Sequence, residues 1–517
     1  MRNKLSFFVP SIGNIVFVVF FLTLLVKPGF NLLGDCDTGF HIRTGEYILE
    51  NFSIPKFDIF SYSTPASPWM NHEWLSNVIM AFLHRTHGLT WVVVFFAFLI
   101  SLTFFLLIKI IQQYKVNIIF ATVMVLLVYL TSRIHFFARP HILSWIFVLI
   151  WYHVLNSFWY NDKNYLYLLP PIMLLWVNLH GSFILGFVLI SIYLFGNIIR
   201  ILRGVEKQLY IRKVKLLGLV TGATLLVSLI NPYSYHILLY PFKYVSDKFI
   251  MDHINELVSP NFHDVSTMAF EFLLLLTMAI FFFSRDRLHF IEVILTLFFT
   301  HMALYSARYI PLFCIIIAPI LARHGESILT ESGGRLASFL KKRANNIGAT
   351  DAAARGYLWI ILAVAIVAMG VKSGALKYGF DEKTKPVAAV EFLKRENLKG
   401  NMFNSDEFGD YIIYSAYPQY KVFIDGRVDT YGAERLKEFY KVIYLEPGWE
   451  KVIEKYDIKW SIFDTNSILS RCLMEKKDWQ LIYSDKVASI FVRKIPENQD
   501  IVNKYQNVEL VIVEDKK

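Results

Sequence analysis

Long apolar runs, separated by short stretches that carry Lys and Arg, constrain this chain more than anything else in it. A helix takes about 20 apolar residues to cross a bilayer, and hydrocarbon offers no water to satisfy exposed backbone groups. On that measure roughly eleven spans are expected. They lie near residues 7–27, 89–112, 117–132, 141–159, 165–179, 181–200, 213–230, 269–284, 288–305, 307–322 and 357–373. The composition agrees, with 55% hydrophobic, 16% aromatic and only 18% charged residues. Soluble domains do not look like this, so the fold class expected is an α-helical polytopic membrane protein. The formal net charge of +10 does not point to nucleic acid, because the basic residues fall in short loops between apolar runs, where they act as topology signals. Three cysteines, Cys36, Cys314 and Cys472, make no disulfide framework. Leu33-Gly34-Asp35-Cys36 imitates a lipoprotein cleavage site, but Asp35 stands where a small residue is required, so the apolar run before it is expected to be retained.

Orientation follows from where the basic residues sit. With Arg2 and Lys4 cytoplasmic, alternate loops on the same side carry Lys109, Lys115, Lys163, Arg200, Arg203, Lys207, Arg212, Lys213, Lys215, Arg285 and Arg287. Basic residues of the other loops are scattered, and this bias predicts a cytoplasmic N-terminus and an extracytoplasmic C-terminus in the inner or plasma membrane. Residues 1–373 then form the membrane domain, including an outer loop at 33–88 and a cytoplasmic linker at 323–356. Residues 375–517 change character. Val387–Glu396 has helical periodicity, while Asn401–Asn404, Tyr420–Asp425, Trp460–Asp464, Trp479–Ser484 and Ala488–Val492 read as short strands. Strands alternating with helices predict a C-terminal extracytoplasmic α/β domain.

Polar residues gather on the predicted outer side. Ionisable groups beside a bilayer are costly to hold and are candidate sites for that reason. The first outer loop opens with Asp35-Cys36-Asp37, continues to His41, and later presents His72-Glu73-Trp74. Helical periodicity over 38–51 and 71–84 predicts two helices lying in the interface. Asp35 and Asp37 fit general base chemistry, or simply the N-terminus of the first of these helices. His41 lies one turn after Asp37 and either meets it or serves as an interfacial aromatic. Glu73 is read as catalytic or as a solvated surface carboxylate. Arg139, His141, His180 and Arg308 lie at other outer span ends; Arg139 and Arg308 suit a phosphate, or snorkel to headgroups, and His180 is also read as a cap. Asp425-Gly426-Arg427-Val428-Asp429 reads first as a glycine turn closed by an Asp–Arg ion pair.

This arrangement resembles the GT-C superfamily of integral-membrane glycosyltransferases, which use polyprenyl-phosphate-linked sugars. Two stretches, Asp35 to His41 through His72-Glu73-Trp74 and Phe423 to Gly432, are similar to a poorly characterised bacterial group of GT-C-like proteins. No Trp-Trp-Asp signature of the oligosaccharyltransferases is present, so a peptide asparagine acceptor is not implied. The resemblance implies that Asp35 or Asp37 is a base or a metal ligand. The partners would be a polyprenyl-phosphate-sugar donor, a glycan, lipid or protein acceptor, and membrane lipids.

Transfer from such a donor needs a base for the acceptor hydroxyl and positive charge near the departing phosphate. Arg139 and Arg308, or a divalent metal (Mg or Mn) on Asp35, Asp37 and His41, would supply that charge. Asp35, Asp37, His41, Glu73, Arg139 and Arg308 are expected to gather in one cavity. Two other classes stay open. One is a lipid-linked glycan transporter or flippase, which would place polar groups near mid-membrane. The other is a membrane scaffold that displays the C-terminal domain.

Overall fold

The computed structural model describes residues 7–26, 31–35, 37–65, 67–204, 206–331 and 335–511. Arg2, Lys4 and Cys36 lie outside them. The chain divides into two compact units, residues 1–32 with 91–377 and residues 33–90 with 378–517.

The first unit is helical. Each expected apolar segment forms a helix, because an apolar segment in hydrocarbon must satisfy its own backbone. Leu89–Gln112, Ile118–His135, His141–Tyr160, Gly181–Leu202, Val265–Phe283 and Ala307–Leu329 are long and apolar enough to cross a membrane. Ile12–Leu25, Leu166–Leu179 and Phe290–Tyr305 are shorter apolar helices. Among the described residues the helices long enough by length and composition therefore number six, where eleven spans were expected; the number is seven if Lys342–Ala353 and Tyr357–Lys372, bent by 71°, form one broken span. The Pro170-Pro171 pair sits in the first turn of the Leu169–Leu179 helix, where no hydrogen bond is lost, so it starts this helix and does not break it. The expected linker at 323–356 is also helical, over Ile310–Glu331 and Arg335–Ala353, in keeping with its alanine content. The chain is a polytopic α-helical membrane protein.

The second unit is an α/β domain around a four-stranded sheet. The strands are β1 (Asn401–Asn404), β2 (Ile458–Asp464), β3 (Trp479–Ser484) and β4 (Ala488–Arg493), in the order β1-β2-β4-β3. β1 and β2 are parallel, and the other two pairings are antiparallel. The parallel pair needs a crossover, which the helices Asp406–Ala416, Val428–Ile443 and Trp449–Lys455 supply. Val428–Ile443 kinks at Gly432, whose φ of 68° suits glycine.

Residues 33–90 fold with this domain, which corrects the expected boundary. Phe40, Phe60 and Trp69 share one apolar core with Met402, Ile412, Val422, Trp460 and Ile490. The helices of this segment run Thr38–Asn51 and Trp74–His87. The first lies close against Asp406–Ala416. A Cβ on Gly39 would fall 2.6 Å from the Asp410 carbonyl oxygen and 2.9 Å from Tyr414 Cβ, so only glycine fits there without a shift. The faces expected to lie on lipid are thus partly buried in protein. Tyr420–Asp425 is not a strand of the sheet either. Its backbone pairs with the loop, Val422 N–H donating to the Phe60 carbonyl at 3.1 Å and Tyr62 N–H to the Val422 carbonyl at 3.1 Å. The loop offered backbone partners that the sequence of the C-terminal segment alone does not contain.

Candidate functional site

The residues singled out in the sequence fall into two groups, one in each unit. In the α/β unit, Asp37 precedes the Thr38–Asn51 helix but makes no side-chain capping hydrogen bond, so the capping explanation of its carboxylate does not apply. Asp35 Oδ1 instead accepts the Asp37 backbone N–H at 2.9 Å. Asp37 reaches Gly426: a Cβ on that glycine would lie 2.3 Å from Asp37 Oδ1 and 2.9 Å from Asp410 Oδ2. The two carboxylates thus converge on one backbone position, which must be glycine to admit both.

Asp410 was not among the sequence candidates. It lies in the Asp406–Ala416 helix, whose N-terminus is capped by Ser405 and carries Asp406 and Glu407 in its first turn, where negative charge is favoured. Asp410 is different, because it falls on the buried face with Phe408, Tyr411, Ile412 and Ile413. A carboxylate on the apolar face of an amphipathic helix was the signal that could have revealed it. Its Oδ2 accepts the Gly426 N–H at 3.1 Å, while among the described residues Oδ1 has no hydrogen-bond partner. Burial, then the negative charges of Asp37, Asp425 and Asp35, push its carboxyl well above the usual carboxylate range, against the opposing pull of Arg427.

The turn that carries Gly426 is held by a buried ion network. Asp425 accepts two hydrogen bonds from Arg427, Nε to Oδ1 at 2.8 Å and Nη2 to Oδ2 at 2.6 Å. The ion pair read from the sequence is therefore present, but it does more than close a turn. Arg427 Nη1 lies 2.8 Å from Asp58 Oδ1, and Tyr431 donates to Asp425 Oδ2 at 2.5 Å. The guanidinium is packed between rings, 4.7 Å from the centroid of Trp69 and 5.0 Å from that of Phe60. Burial would raise the carboxyl of Asp58, but Arg427 and hydrogen bonds from Ser61 and the Phe60 N–H outweigh it and hold it below the usual range.

His41 and Glu73 make a neighbouring polar group. His41 Nδ1 meets Asn77 Oδ1 at 2.7 Å, and Asn77 Nδ2 donates to Asn71 Oδ1 at 2.9 Å. Glu73 lies between two imidazoles, 3.8 Å from His41 Nε2 and 3.7 Å from His72 Nε2. The imidazole of His41 is thereby engaged at Asn77 and directed toward Glu73. Among the described residues no group of three or more His, Cys, Asp or Glu side chains is placed to hold a metal ion.

In the membrane unit, Arg139 and Arg308 are brought to one carboxylate, that of Glu256. Arg139 Nη1 lies 2.6 Å from Glu256 Oε1, and Arg308 Nε lies 3.9 Å from Oε2. Burial favours the neutral form of Glu256, but the two guanidinium groups outweigh it and hold this carboxyl well below its usual range. His141 Nε2 meets the His135 carbonyl at 2.9 Å, and His135 Nε2 meets the Ala307 carbonyl at 3.1 Å. His180 does what its capping reading implied: its Nδ1 accepts from the Ser182 N–H at 3.1 Å and meets Ser144 Oγ at 2.9 Å. Glu256 was missed because it stands alone in a polar loop, where nothing in the sequence separates it from a solvated carboxylate.

No family model matches the chain, and no curated protein matches it. Solved structures are similar to it at low identity. The archaeal oligosaccharyltransferase AglB from Archaeoglobus fulgidus, in complex with an inhibitory peptide and a dolichol-phosphate, is 13% identical with a TM-score of 0.47, over 88% of this chain and 69% of that one. The Archaeoglobus fulgidus oligosaccharyltransferase in complex with Zn and sulfate is 14% identical with a TM-score of 0.48, over 93% and 73%. ArnT from Cupriavidus metallidurans bound to undecaprenyl phosphate is 12% identical with a TM-score of 0.46, over 94% and 97%. At these scores the similarity assigns neither family nor activity.

Proposed function

We propose that this protein is a multi-pass membrane glycosyltransferase of the GT-C type, moving a hexosyl group from a polyprenyl-phosphate donor to an acceptor hydroxyl at the outer membrane face. The observation that carries the reading is the convergence of Asp37, from the first loop, and Asp410, from the C-terminal segment, on Gly426. Two carboxyl groups side by side, one of them pushed toward its neutral form, are a recurrent arrangement for proton transfer.

In this reading Asp37 takes the proton of the acceptor hydroxyl. The acceptor oxygen bonds to the anomeric carbon as the bond from that carbon to the phosphate oxygen breaks, and the bond's electron pair leaves with the polyprenyl phosphate. Asp35 fixes Asp37 through its backbone N–H. Within the membrane unit, Arg139 and Arg308, gathered by Glu256, offer paired donors of the kind a phosphate takes. Glu73 and the His41–Asn77 pair would bind acceptor hydroxyls. The C-terminal domain would then lie outside and the N-terminus inside, as the basic loops imply. The reading rests on these residues and not on the similar structures.

The test is sugar transfer in proteoliposomes from a radiolabelled polyprenyl-phosphate hexose, with release of polyprenyl phosphate as the second readout. Asp37→Asn keeps size and removes basicity, so transfer should fall by about 10²–10⁴-fold, the usual contribution of a general base. Parental rates in both Asp35→Asn and Asp37→Asn would favour the scaffold alternative.

A further inference from the structure

We infer that His84 and Tyr414 are positioning residues: with Glu46 they form a hydrogen-bonded bridge that sets how the helix Asp406–Ala416 lies on the helix Thr38–Asn51, and so where the Gly426 turn stands beside Asp37. The inference deepens the proposed function and rests on it for its catalytic part. His84 Nδ1 meets Glu46 Oε1 at 3.2 Å, and His84 Nε2 meets the Tyr414 hydroxyl at 3.0 Å. Each residue comes from a different helix, Glu46 from Thr38–Asn51, His84 from Trp74–His87 and Tyr414 from Asp406–Ala416. Arg43 adds a second tie, its Nη1 2.6 Å from Glu46 Oε2 and its Nε donating to the Tyr414 carbonyl at 2.7 Å. That carbonyl lies in the last turn of its helix, where no intrahelical N–H is available to it.

The spacing shows why these ties matter. Gly39, Arg43 and Glu46 share one face of their helix, and Asp410 and Tyr414 share one face of theirs. Where the two faces meet at Gly39, a Cβ would lie against the Asp410 carbonyl oxygen and Tyr414 Cβ. Helices hold their register by side-chain ridges set into grooves, and a glycine contributes no ridge. Farther along the same face, Arg43 reaches Tyr414 directly and Glu46 reaches it through His84, which supplies the missing register. Glu46, paired with Arg43, is a carboxylate and can only accept, so Nδ1 carries the ring proton; in the neutral ring Nε2 then accepts from the Tyr414 hydroxyl. The imidazole is fixed at both nitrogens and stands edge-on to the Tyr414 ring, centroids 5.5 Å apart. Asp410, one turn before Tyr414, takes the Gly426 N–H at 3.1 Å, so a shift of the helix carries the turn with it.

Tyr414→Phe removes only the hydroxyl, and His84→Ala removes the imidazole. Each should lower kcat about 10²-fold with the donor KM unchanged, the scale of a slightly misplaced catalytic group. The double variant should lose no more than either alone, because the residues act as one bridge. His84→Gln, whose amide still reaches the Tyr414 hydroxyl, should keep kcat within about tenfold of the parent. Rates are taken well below each variant's melting temperature. Parental kcat in both single variants, or additive losses in the double variant, would overturn the inference. Pulsed electron paramagnetic resonance reads the helix pair without any substrate, from spin labels on Asn51→Cys and Glu407→Cys, both exposed positions, with the native cysteines changed to serine. The distance distribution should broaden or shift in His84→Ala, and an unchanged distribution would also overturn the positioning role. If it changes but the parental protein transfers no sugar, the helix positioning stands and the glycosyltransferase reading falls.

Discussion

Asp58 and Arg427, far apart in the chain, form a buried ion pair at 2.8 Å. Asp58 sits in the loop between the helices Thr38–Asn51 and Trp74–His87, and Arg427 follows the turn at Gly426. Their contact ties residues 33–90 into the C-terminal domain and supports the backbone on which Asp37 and Asp410 converge.

Removing that cation should be among the most damaging changes in the domain. Arg427→Met leaves Asp58 and Asp425 buried and uncompensated, and breaking a buried pair from one side costs about 3–5 kcal/mol. Arg427→Lys should recover only part of this, because a point charge cannot serve both carboxylates with a planar fork. Thermal unfolding of the detergent-purified protein, followed by tryptophan fluorescence, measures both.

The two buried carboxyls make opposite demands on pH. Asp58 is held below its ordinary value of 3.8, so its stabilisation is present above that value and is lost as pH falls through the lowered one. Asp410 is raised above 3.8, so its stabilisation is complete below that value and is lost as pH rises through the raised one. Asp410→Asn should therefore gain on the parent as pH rises, and Asp58→Asn should lose least to it at the acid end. Melting temperatures across a pH series test the two signs separately.

Two glycine substitutions should separate fold from site. Gly39→Ala puts a methyl 2.6 Å from the Asp410 carbonyl oxygen, a backbone atom, and should cost about 1–3 kcal/mol of stability through overpacking. Gly426→Ala meets mainly the side-chain oxygens of Asp37 and Asp410, which can turn away. It should stay folded yet lose about 10²-fold in transfer, because the carboxyls are displaced. Equal melting-temperature losses in the two variants would contradict this separation.

In the membrane unit, Glu256→Gln should impair transfer by freeing two guanidinium groups from their common anchor. Arg139→Lys should impair it through loss of the paired donors, raising the donor KM. Rates at varied donor concentration distinguish the two. An unchanged KM in Arg139→Lys would remove Arg139 from the phosphate-binding role.

The polytopic class and most of the secondary structure of the C-terminal domain, Tyr420–Asp425 excepted, were legible in the sequence, because each depends on local pattern. An apolar run near bilayer length becomes a helix whatever surrounds it, and Val387–Glu396 and the four strands follow their own periodicity. The Asp–Arg pair at 425 and 427 was also legible, since the two residues are neighbours in the chain. What required the tertiary structure was every long-range partner. Nothing local shows that Val422 pairs with Phe60, that Arg427 is shared with Asp58, or that Asp410 meets Asp37 at a glycine. A carboxylate's role is set by burial and by neighbouring charge, and both are decided by which distant segments close around it.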